Sequence, residues 1–187
     1  MRKLIVSSFI TLDGIISKPW EWAGPFFDEE NQQFSLDKLN DTDLFLLGRK
    51  TYEQFSATWP NIKGNQYFDR INELKKVVAS TTLKEVEWNA SLIKGDAIEE
   101  IAKLKARPGK NILRYGIGKL ERDLLNNNLI DEFHFSLVPI KLGNGVHAFD
   151  IFEADEVRLK LADTKAFKNG VVFLSYVPDK QTDISKH

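Results

Sequence analysis

Residues 46–55, LLGRKTYEQF, combine the end of an apolar strand, a glycine turn and the start of a helix. Gly48 lets the chain turn sharply. After it, Arg49 can fork two hydrogen bonds onto a phosphate group, Lys50 adds a charge and Thr51 adds a hydroxyl. The alternative is a solvated basic helix start. A cation at a helix N-terminus, however, interacts unfavourably with the helix dipole and destabilises the helix by ~0.3–1 kcal/mol. A bound anion would offset that cost, so the stretch favours a phosphate site.

The same alternation of strand and helix continues along the chain. One helix is predicted within residues 95–110, with Asp96 as its N-cap, and another within 118–132. Strands alternating with helices predict right-handed crossovers and a mostly parallel sheet. The apolar runs that we interpret as its strands are residues 3–10, 42–48, 75–81, 91–95 and 111–116.

The last third of the chain changes character. Residues 132–142 and 170–178 alternate apolar and polar side chains, as antiparallel strands do. The sequence therefore predicts an α/β fold, with a mostly parallel sheet and late antiparallel strands. We expect a single domain over residues 1–178, followed by a polar tail at 179–187.

Composition excludes several kinds of protein. The 187 residues contain no cysteine and have a net charge of -1. A disulfide framework, a cysteine-based metal site and a thiol nucleophile are thereby excluded, and nucleic-acid binding is disfavoured. The polar residues within the N-terminal run predict a first strand and not a signal peptide, and no apolar window is long enough for a membrane span. We expect a cytoplasmic protein without a metal.

A second candidate site lies in ILRYGIGKLERDLL, residues 112–125. Gly116 and Gly118 follow an apolar strand and precede an amphipathic helix, an arrangement that can hold a pyrophosphate on backbone amides. The third glycine of the dinucleotide fingerprint is missing, because that position carries Glu121. The alternative interpretation is a tight turn between strand and helix.

A third candidate is the hydroxyl cluster of Ser80, Thr81 and Thr82. It follows the apolar run KKVVA, at the carboxyl end of a predicted strand. In an open α/β sheet, ligands bind beyond these ends, so the hydroxyls could bind a ribose or a 2′-phosphate. The alternative is a serine/threonine turn or a helix cap.

A fourth segment places aromatic side chains beside acids. The Asp13–Gly14 pair predicts a turn, and Trp20, Trp22, Phe26, Phe27, Asp28, Glu29 and Glu30 follow it. Rings and carboxylates together suit a flat heterocycle that is stacked on one face and hydrogen-bonded at its edge. Trp22 and Phe26 are the candidate substrate-pocket residues. The alternative is a surface loop that packs its aromatics into the core.

These motifs together resemble one family. GRKTYE (48–53) resembles a motif of dihydrofolate reductases, and SSFITLDGII (7–16) resembles the first strand of the reductase domain of riboflavin biosynthesis. YGIGKLERDLLNNNLIDEFHFSLVPIKLGNGVHAF (115–149) is similar to a long signature of the dihydrofolate-reductase-like family that contains both. The resemblance runs in order over nearly the whole chain. It implies a three-layer α/β/α fold that binds NADPH, and a homodimer formed through late strands.

The resemblance also implies roles for the candidate residues. Gly48, Arg49, Lys50 and Thr51 would contact phosphates, and Ser80, Thr81 and Thr82 the adenosine end. The turn would hold the pyrophosphate and border the nicotinamide through Gly116, Ile117, Gly118, Lys119 and Leu120. The first strand would flank the nicotinamide through Ile10, Thr11, Asp13 and Gly14. His134 is expected to be structural, and His147 is expected to lie at the surface and not to be a catalyst.

This chain departs from the family pattern in three ways. The resemblance therefore extends to the fold and the cofactor class better than to the substrate. Dihydrofolate reductases carry adjacent glycines joined by a cis bond, where this chain has Gly116–Ile117. Those enzymes place an aromatic residue near the nicotinamide, and the corresponding position in this chain carries Glu121. The substrate-orienting acid has three candidates, Asp28, Glu29 and Glu30, each able to hydrogen-bond the substrate or relay a proton.

The resemblance thus implies hydride transfer from NADPH to a C=N or C=O bond of a pterin-like or other heterocyclic substrate. A narrower alternative is 5-amino-6-(5-phosphoribosylamino)uracil reductase-type activity, although the chain has no zinc-deaminase pattern HxE…PCxxC. Another alternative is a nucleotide-binding protein without turnover, which Glu121 favours.

Overall fold

The computed structural model describes residues 2–152 and 156–179, and in this part of the chain there are eight strands and six α-helices. The strands are β1 (Leu4–Thr11), β2 (Thr42–Gly48), β3 (Lys75–Ala79), β4 (Ala90–Leu92), β5 (Asn111–Tyr115), β6 (Glu132–Val138), β7 (Leu159–Ala166) and β8 (Val172–Pro178). The helices are α1 (Pro19–Trp22), α2 (Glu29–Asn40), α3 (Arg49–Thr58), α4 (Gln66–Glu73), α5 (Ala97–Ala106) and α6 (Lys119–Asn126). None of these helices has the length and apolar character that crossing a bilayer requires.

The described residues form two compact units, and the first contains Glu29–Tyr115 with the N-terminal residues up to Leu4. Its strands are all parallel and lie in the order β4-β3-β2-β5. Strand β2 is buried from Leu44 to Leu47, as expected for a strand in the middle of a covered sheet. This burial explains why the sequence of β2 is a continuous apolar run.

The second unit contains Ile5–Asp28 and the chain from Gly116 onward. Strand β6 pairs in parallel with β1 and antiparallel with β8, which also pairs antiparallel with β7. The predicted mostly parallel sheet with late antiparallel strands is thus confirmed. Strand β7 lies at the edge and exposes most of its side chains, whereas β6 is paired along both sides.

Several predicted elements agree with the structure in detail. Strand β2 covers residues 42–48 as predicted, and Asp96 caps α5 by accepting a hydrogen bond from the Glu99 amide at 2.9 Å. Helices α2 and α4 were not predicted. Polar residues dominate α2, and α4 is only eight residues long, although Tyr67 and Ile71 form a buried apolar face on it. The predicted tail at 179–187, apart from Asp179, lies outside the described residues.

Lys76 is a buried cation that joins α4 to β3. Only 1% of this residue is exposed. Its Nζ donates hydrogen bonds to the carbonyl oxygens of Ile71, Asn72 and Leu74 at 2.7, 3.0 and 2.6 Å, and lies 4.3 Å from the ring centre of Trp88. These carbonyls belong to the end of α4, where helix oxygens lack partners within the helix. Lys76 therefore acts as the C-terminal cap of α4.

We expect Lys76→Met to lower the free energy of unfolding by about 2–4 kcal/mol, because it leaves buried carbonyl oxygens without their donor. Denaturant unfolding at neutral pH measures the change. The matched control is Lys75→Met, since Lys75 is the exposed neighbour on the same strand. Equal effects of the two substitutions would contradict the capping role.

Candidate functional site

Two of the predicted phosphate-binding loops meet in the first unit. Strands β2 and β3 are parallel neighbours, and their last residues, Gly48 and Ala79, are paired in register. Both loops therefore leave the sheet at the same edge. Arg49 Nη1 donates a hydrogen bond to Thr82 Oγ1 at 2.8 Å. The structure thus brings together the start of α3 and the loop that follows β3.

The cluster places two cations and a hydroxyl at the start of α3. Arg49 Nε also donates to Glu53 Oε1 at 2.8 Å, one turn along α3, and this ion pair fixes the direction of the guanidinium. Lys50 is exposed, and Thr51 is half-buried. The first turn of α3 carries no acidic residue, so its amides and both cations present positive potential.

The hydroxyl cluster after β3 forms the serine/threonine turn that was the alternative interpretation of its sequence. Ser80 Oγ accepts hydrogen bonds from the amides of Thr82 and Leu83 at 3.2 and 3.0 Å, which makes it a local turn. Thr81 is exposed, and the turn brings the Thr82 hydroxyl to the guanidinium of Arg49. The turn is therefore what positions the hydroxyls.

A buried arginine that the sequence analysis missed lies beneath this cluster. Arg114, on β5, is 5% exposed, and a methyl group built on Gly48 would lie 3.1 Å from its Nη2. The absence of a side chain at residue 48 therefore makes room for the guanidinium. An arginine within the apolar run NILRY is the sequence signal, since arginine is rarely buried without a specific role.

An aromatic cluster in the same unit supports α3. Phe55, on α3, stacks on Trp59 with ring centres 3.7 Å apart, and Phe45 meets Tyr115 edge to face at 5.0 Å. The hydroxyls of Tyr67 and Tyr115 are hydrogen-bonded at 2.7 Å. Burial raises the pKa of Tyr115 to about 12 and that of Tyr67 well above its usual range. Both phenols therefore stay neutral, and the cluster packs against α3 through Phe55.

In the second unit, a side chain of α6 caps the helix at the glycine turn where it begins. Gly116 has a φ of 85°, which favours glycine, and no peptide bond in the described chain is cis, so Gly116–Ile117 is trans. The Gly118 amide donates to Glu121 Oε2 at 2.5 Å. Glu121 is completely buried. The amide that the sequence assigned to a pyrophosphate thus already has an acceptor within α6, while Ile117, Lys119 and Leu120 flank the capped turn.

Asp13 and Thr11 hold a distant loop of the second unit. Asp13 Oδ2 accepts a hydrogen bond from the Gly143 amide at 2.7 Å, and its Oδ1 accepts from the Leu142 amide at 3.3 Å and the Thr11 hydroxyl at 2.5 Å. The Thr11 hydroxyl, and next the Gly143 amide, lower the pKa of Asp13 from 3.8 to about 2. We call this arrangement the Asp13 clasp. The clasp gives Thr11 and Asp13 a structural role. Ile10 precedes them on β1, and Gly14 follows them in the same turn.

The aromatic segment that follows is folded onto its own unit. Trp22 Nε1 donates to the Ser17 carbonyl oxygen at 2.9 Å, and the Phe26 carbonyl oxygen accepts from Asn169 Nδ2 at 2.9 Å. Phe27 packs edge to face on Phe9, with ring centres 5.8 Å apart. The 52% exposure of Trp20 leaves its ring available at the surface.

The three candidate acids lie at the start of α2. Asp28 precedes the helix, and Glu29 and Glu30 form its first turn. Acids at this position are stabilised by the helix dipole, which is a structural reason for their presence. Their role toward a substrate stays a prediction.

Neither His134 nor His147 belongs to a metal cluster in the part of the chain that the structure describes. In residues 2–152 and 156–179, no group of three His, Cys, Asp or Glu residues is arranged to hold a metal ion. His134 is 6% exposed, lies 2.8 Å from Glu132 Oε2 and packs on Phe173. His147 forms a backbone bridge with Ile15.

With this geometry in place, comparison with known proteins identifies the family. A sequence model of the RibD C-terminal domain matches residues 2–173. The chain belongs to this family. The chain is also 32% identical to the protein YyaP of Bacillus subtilis (strain 168) over 179 residues, which cover 94% of each protein.

Solved structures share the fold of this RibD C-terminal domain. A candidate riboflavin biosynthesis protein from Shewanella sp. PV-4 has a TM-score of 0.73 at 23% identity, covering 95% of this chain and 99% of that one. Dihydrofolate reductase from Enterococcus faecalis, complexed with NADP(H), has a TM-score of 0.62 at 13% identity, covering 95% and 96%. The dihydrofolate-reductase-like resemblance and the α/β/α fold that it implied are confirmed.

The Asp13 clasp leads to a prediction about acid stability. Because the pKa of Asp13 is lowered to about 2, its contribution is complete above the unfolded value of 3.8 and is lost as the pH falls through the folded value. We expect Asp13→Asn to be less stable than wild type at neutral pH and to lose stability less steeply between about pH 4 and pH 2. Thermal unfolding at stepped pH measures this difference.

The control for this experiment is Asp41→Asn, which removes an exposed carboxylate from the first unit. If Asp13→Asn and Asp41→Asn change the loss of stability at acidic pH equally, the clasp does not hold the loop through its charge.

Proposed function

We propose that this RibD C-terminal domain is an NADPH-dependent reductase. Membership of the family supports a reductase of the type found in riboflavin biosynthesis. The observation that carries the proposal is the hydrogen bond from Arg49 to Thr82, since it joins two predicted phosphate loops in one cluster. Guanidinium, ammonium, hydroxyl and helix amides together form the donor set that a nucleotide phosphate requires.

The cluster recognises the cofactor through Arg49, Lys50, Thr51 and the hydroxyls after β3. Bound NADPH supplies the hydride, and the protein supplies binding, orientation and exclusion of water. Arg49 is oriented before the ligand arrives, because Glu53 and Thr82 hold two edges of its guanidinium. Less side-chain freedom is then lost on binding. Arg114, beneath Gly48, adds fixed positive charge behind the loop.

The substrate in this proposal is a pterin-like or other heterocyclic compound with a reducible C=N or C=O bond. One of Asp28, Glu29 and Glu30 would hydrogen-bond its amino edge or relay a proton, and Trp22 and Phe26 would contact its faces. Assays of NADPH oxidation with pterins, quinones and aldehydes, comparing Asp28→Asn, Glu29→Gln and Glu30→Gln, would identify the acid. A loss of turnover in one variant with unchanged NADPH affinity would assign the role.

Binding of the cofactor is tested first with Arg49→Gln. We expect its dissociation constant for NADPH to rise roughly 10- to 100-fold, because a hydrogen bond to a charged group contributes about 1.5–3 kcal/mol. Fluorescence titration measures the constant. Arg158→Gln is the matched control, since Arg158 is an exposed arginine that pairs with Glu156. Wild-type protein that binds no NADPH at millimolar concentration would overturn the proposed function.

Two other functions are favoured by specific observations. The family match favours 5-amino-6-(5-phosphoribosylamino)uracil reductase-type activity, and failure to complement a strain lacking that reductase would contradict it. Glu121 at the glycine turn favours a nucleotide-binding protein without turnover. Tight NADPH binding without oxidation across the substrate panel would support this last function over both enzymes.

The proposal includes a homodimer in the cytoplasm. The exposed edge strand β7 is the late strand available for pairing between copies, because β6 and β8 are each paired on both sides. The absence of cysteine fits a reducing compartment. Light scattering after size exclusion tests the dimer, and a single species of about 21.4 kDa would contradict it.

A further inference from the structure

The start of α6 carries its own acceptor for the N-terminal amide. Glu121 Oε2 lies 2.5 Å from the Gly118 nitrogen, and the Glu121 amide donates in turn to the Gly118 carbonyl oxygen at 3.0 Å. Only the Glu121 half of a capping box forms here, because glycine at the N-cap has no side chain to accept from the Glu121 amide. Because Glu121 is 0% exposed, the carboxyl group is fixed by the packing of α6 and is not a mobile surface group.

The start of α3 is the opposite case. It has no acidic residue in its first turn and begins with two exposed cations, Arg49 and Lys50. A phosphate at α3 gains from the cations, the helix dipole and the Thr82 hydroxyl. A phosphate at α6 would compete with a carboxyl oxygen for the Gly118 amide and would face an acidic group at short range.

We infer that Glu121 excludes phosphate from the glycine turn of α6, so that recognition of the cofactor's phosphates falls on the Arg49–Thr82 cluster. This inference rests on the proposed function, and it revises the pyrophosphate role that the resemblance implied for Gly116–Leu120. Glu121 is a specificity-determining residue that acts through its charge and through the amide that it occupies.

The test combines one substitution with one measurement on the wild-type chain. Glu121→Gln keeps an oxygen for the Gly118 amide and removes only the acid. We expect it to tighten NADPH binding about fivefold, because the glycine turn then no longer repels a phosphate through a carboxylate. Asp123→Asn is the matched control on the same helix, since the Asp123 side chain is 49% exposed and contacts Arg122. We expect its dissociation constant to stay within about twofold of wild type, as for other exposed charges.

In the wild-type protein, titration with inorganic pyrophosphate is followed by the backbone amide signals in a ¹H–¹⁵N spectrum. We expect the Arg49 and Lys50 amides to shift and the Gly118 amide to keep its position. A Gly118 shift as large as that of Arg49 would overturn the inference. Equal NADPH affinities of wild type, Glu121→Gln and Asp123→Asn would also overturn it.

The two proposals fail separately in this design. If wild type binds no NADPH while pyrophosphate shifts Arg49 and not Gly118, the reductase proposal is overturned and the exclusion of phosphate at α6 stands. If NADPH binds and the Gly118 amide moves with pyrophosphate, the reductase proposal stands and the role of Glu121 is overturned.

Discussion

The pairing of β2 with β3 is the constraint on which the candidate phosphate site depends. The register places Gly48 beside Ala79, so both strands end at the same level and their loops leave the sheet together. Residues 33 positions apart in sequence, Arg49 and Thr82, then come within hydrogen-bond distance. Both faces of β2 are packed from Leu44 to Leu47, so a change of register would misplace buried side chains on each face. The geometry of the cluster is thus inherited from the packing of the sheet.

Two helices of this fold begin after a glycine, yet their first turns differ in charge. Helix α3 leaves its N-terminus open and adds cations, whereas α6 turns a glutamate side chain back onto its own cap. An anion stabilises a helix N-terminus whether it comes from a ligand or from the chain. The contrast explains how the glycine turn before α6 can resemble a phosphate-binding loop and still not bind phosphate.

The sequence predicted most of the fold, because its signals were local. The apolar run of β2 and the Asp96 cap of α5 require only neighbouring residues, and both agree with the structure. The family resemblance supplied the three-layer α/β/α architecture as well. Helix α2 was missed because polar residues dominate it, so that no apolar stripe marks its period.

The candidate site was predictable only in part, because its remaining contacts are distant in sequence. The basic start of α3 and the hydroxyls after β3 were identified from their positions at strand ends. No spacing rule relates Arg114 to Gly48, or Tyr67 to Tyr115, since each pair meets only after the sheet forms. Likewise, Glu121 was recognised as a departure from the family, but its bond to the Gly118 amide requires the capped geometry of α6.

The Asp13 clasp has a consequence for the order in which the chain folds. It joins Asp13 to Gly143, residues that are 130 positions apart. Closing so long a loop costs conformational entropy before any contact compensates for it. The loop can dock only after β1 and β6 have paired, since these strands bring its two ends together. We therefore expect the Asp13 clasp to close only after the C-terminal third of the chain has been synthesised, so that the second unit completes its structure after the first.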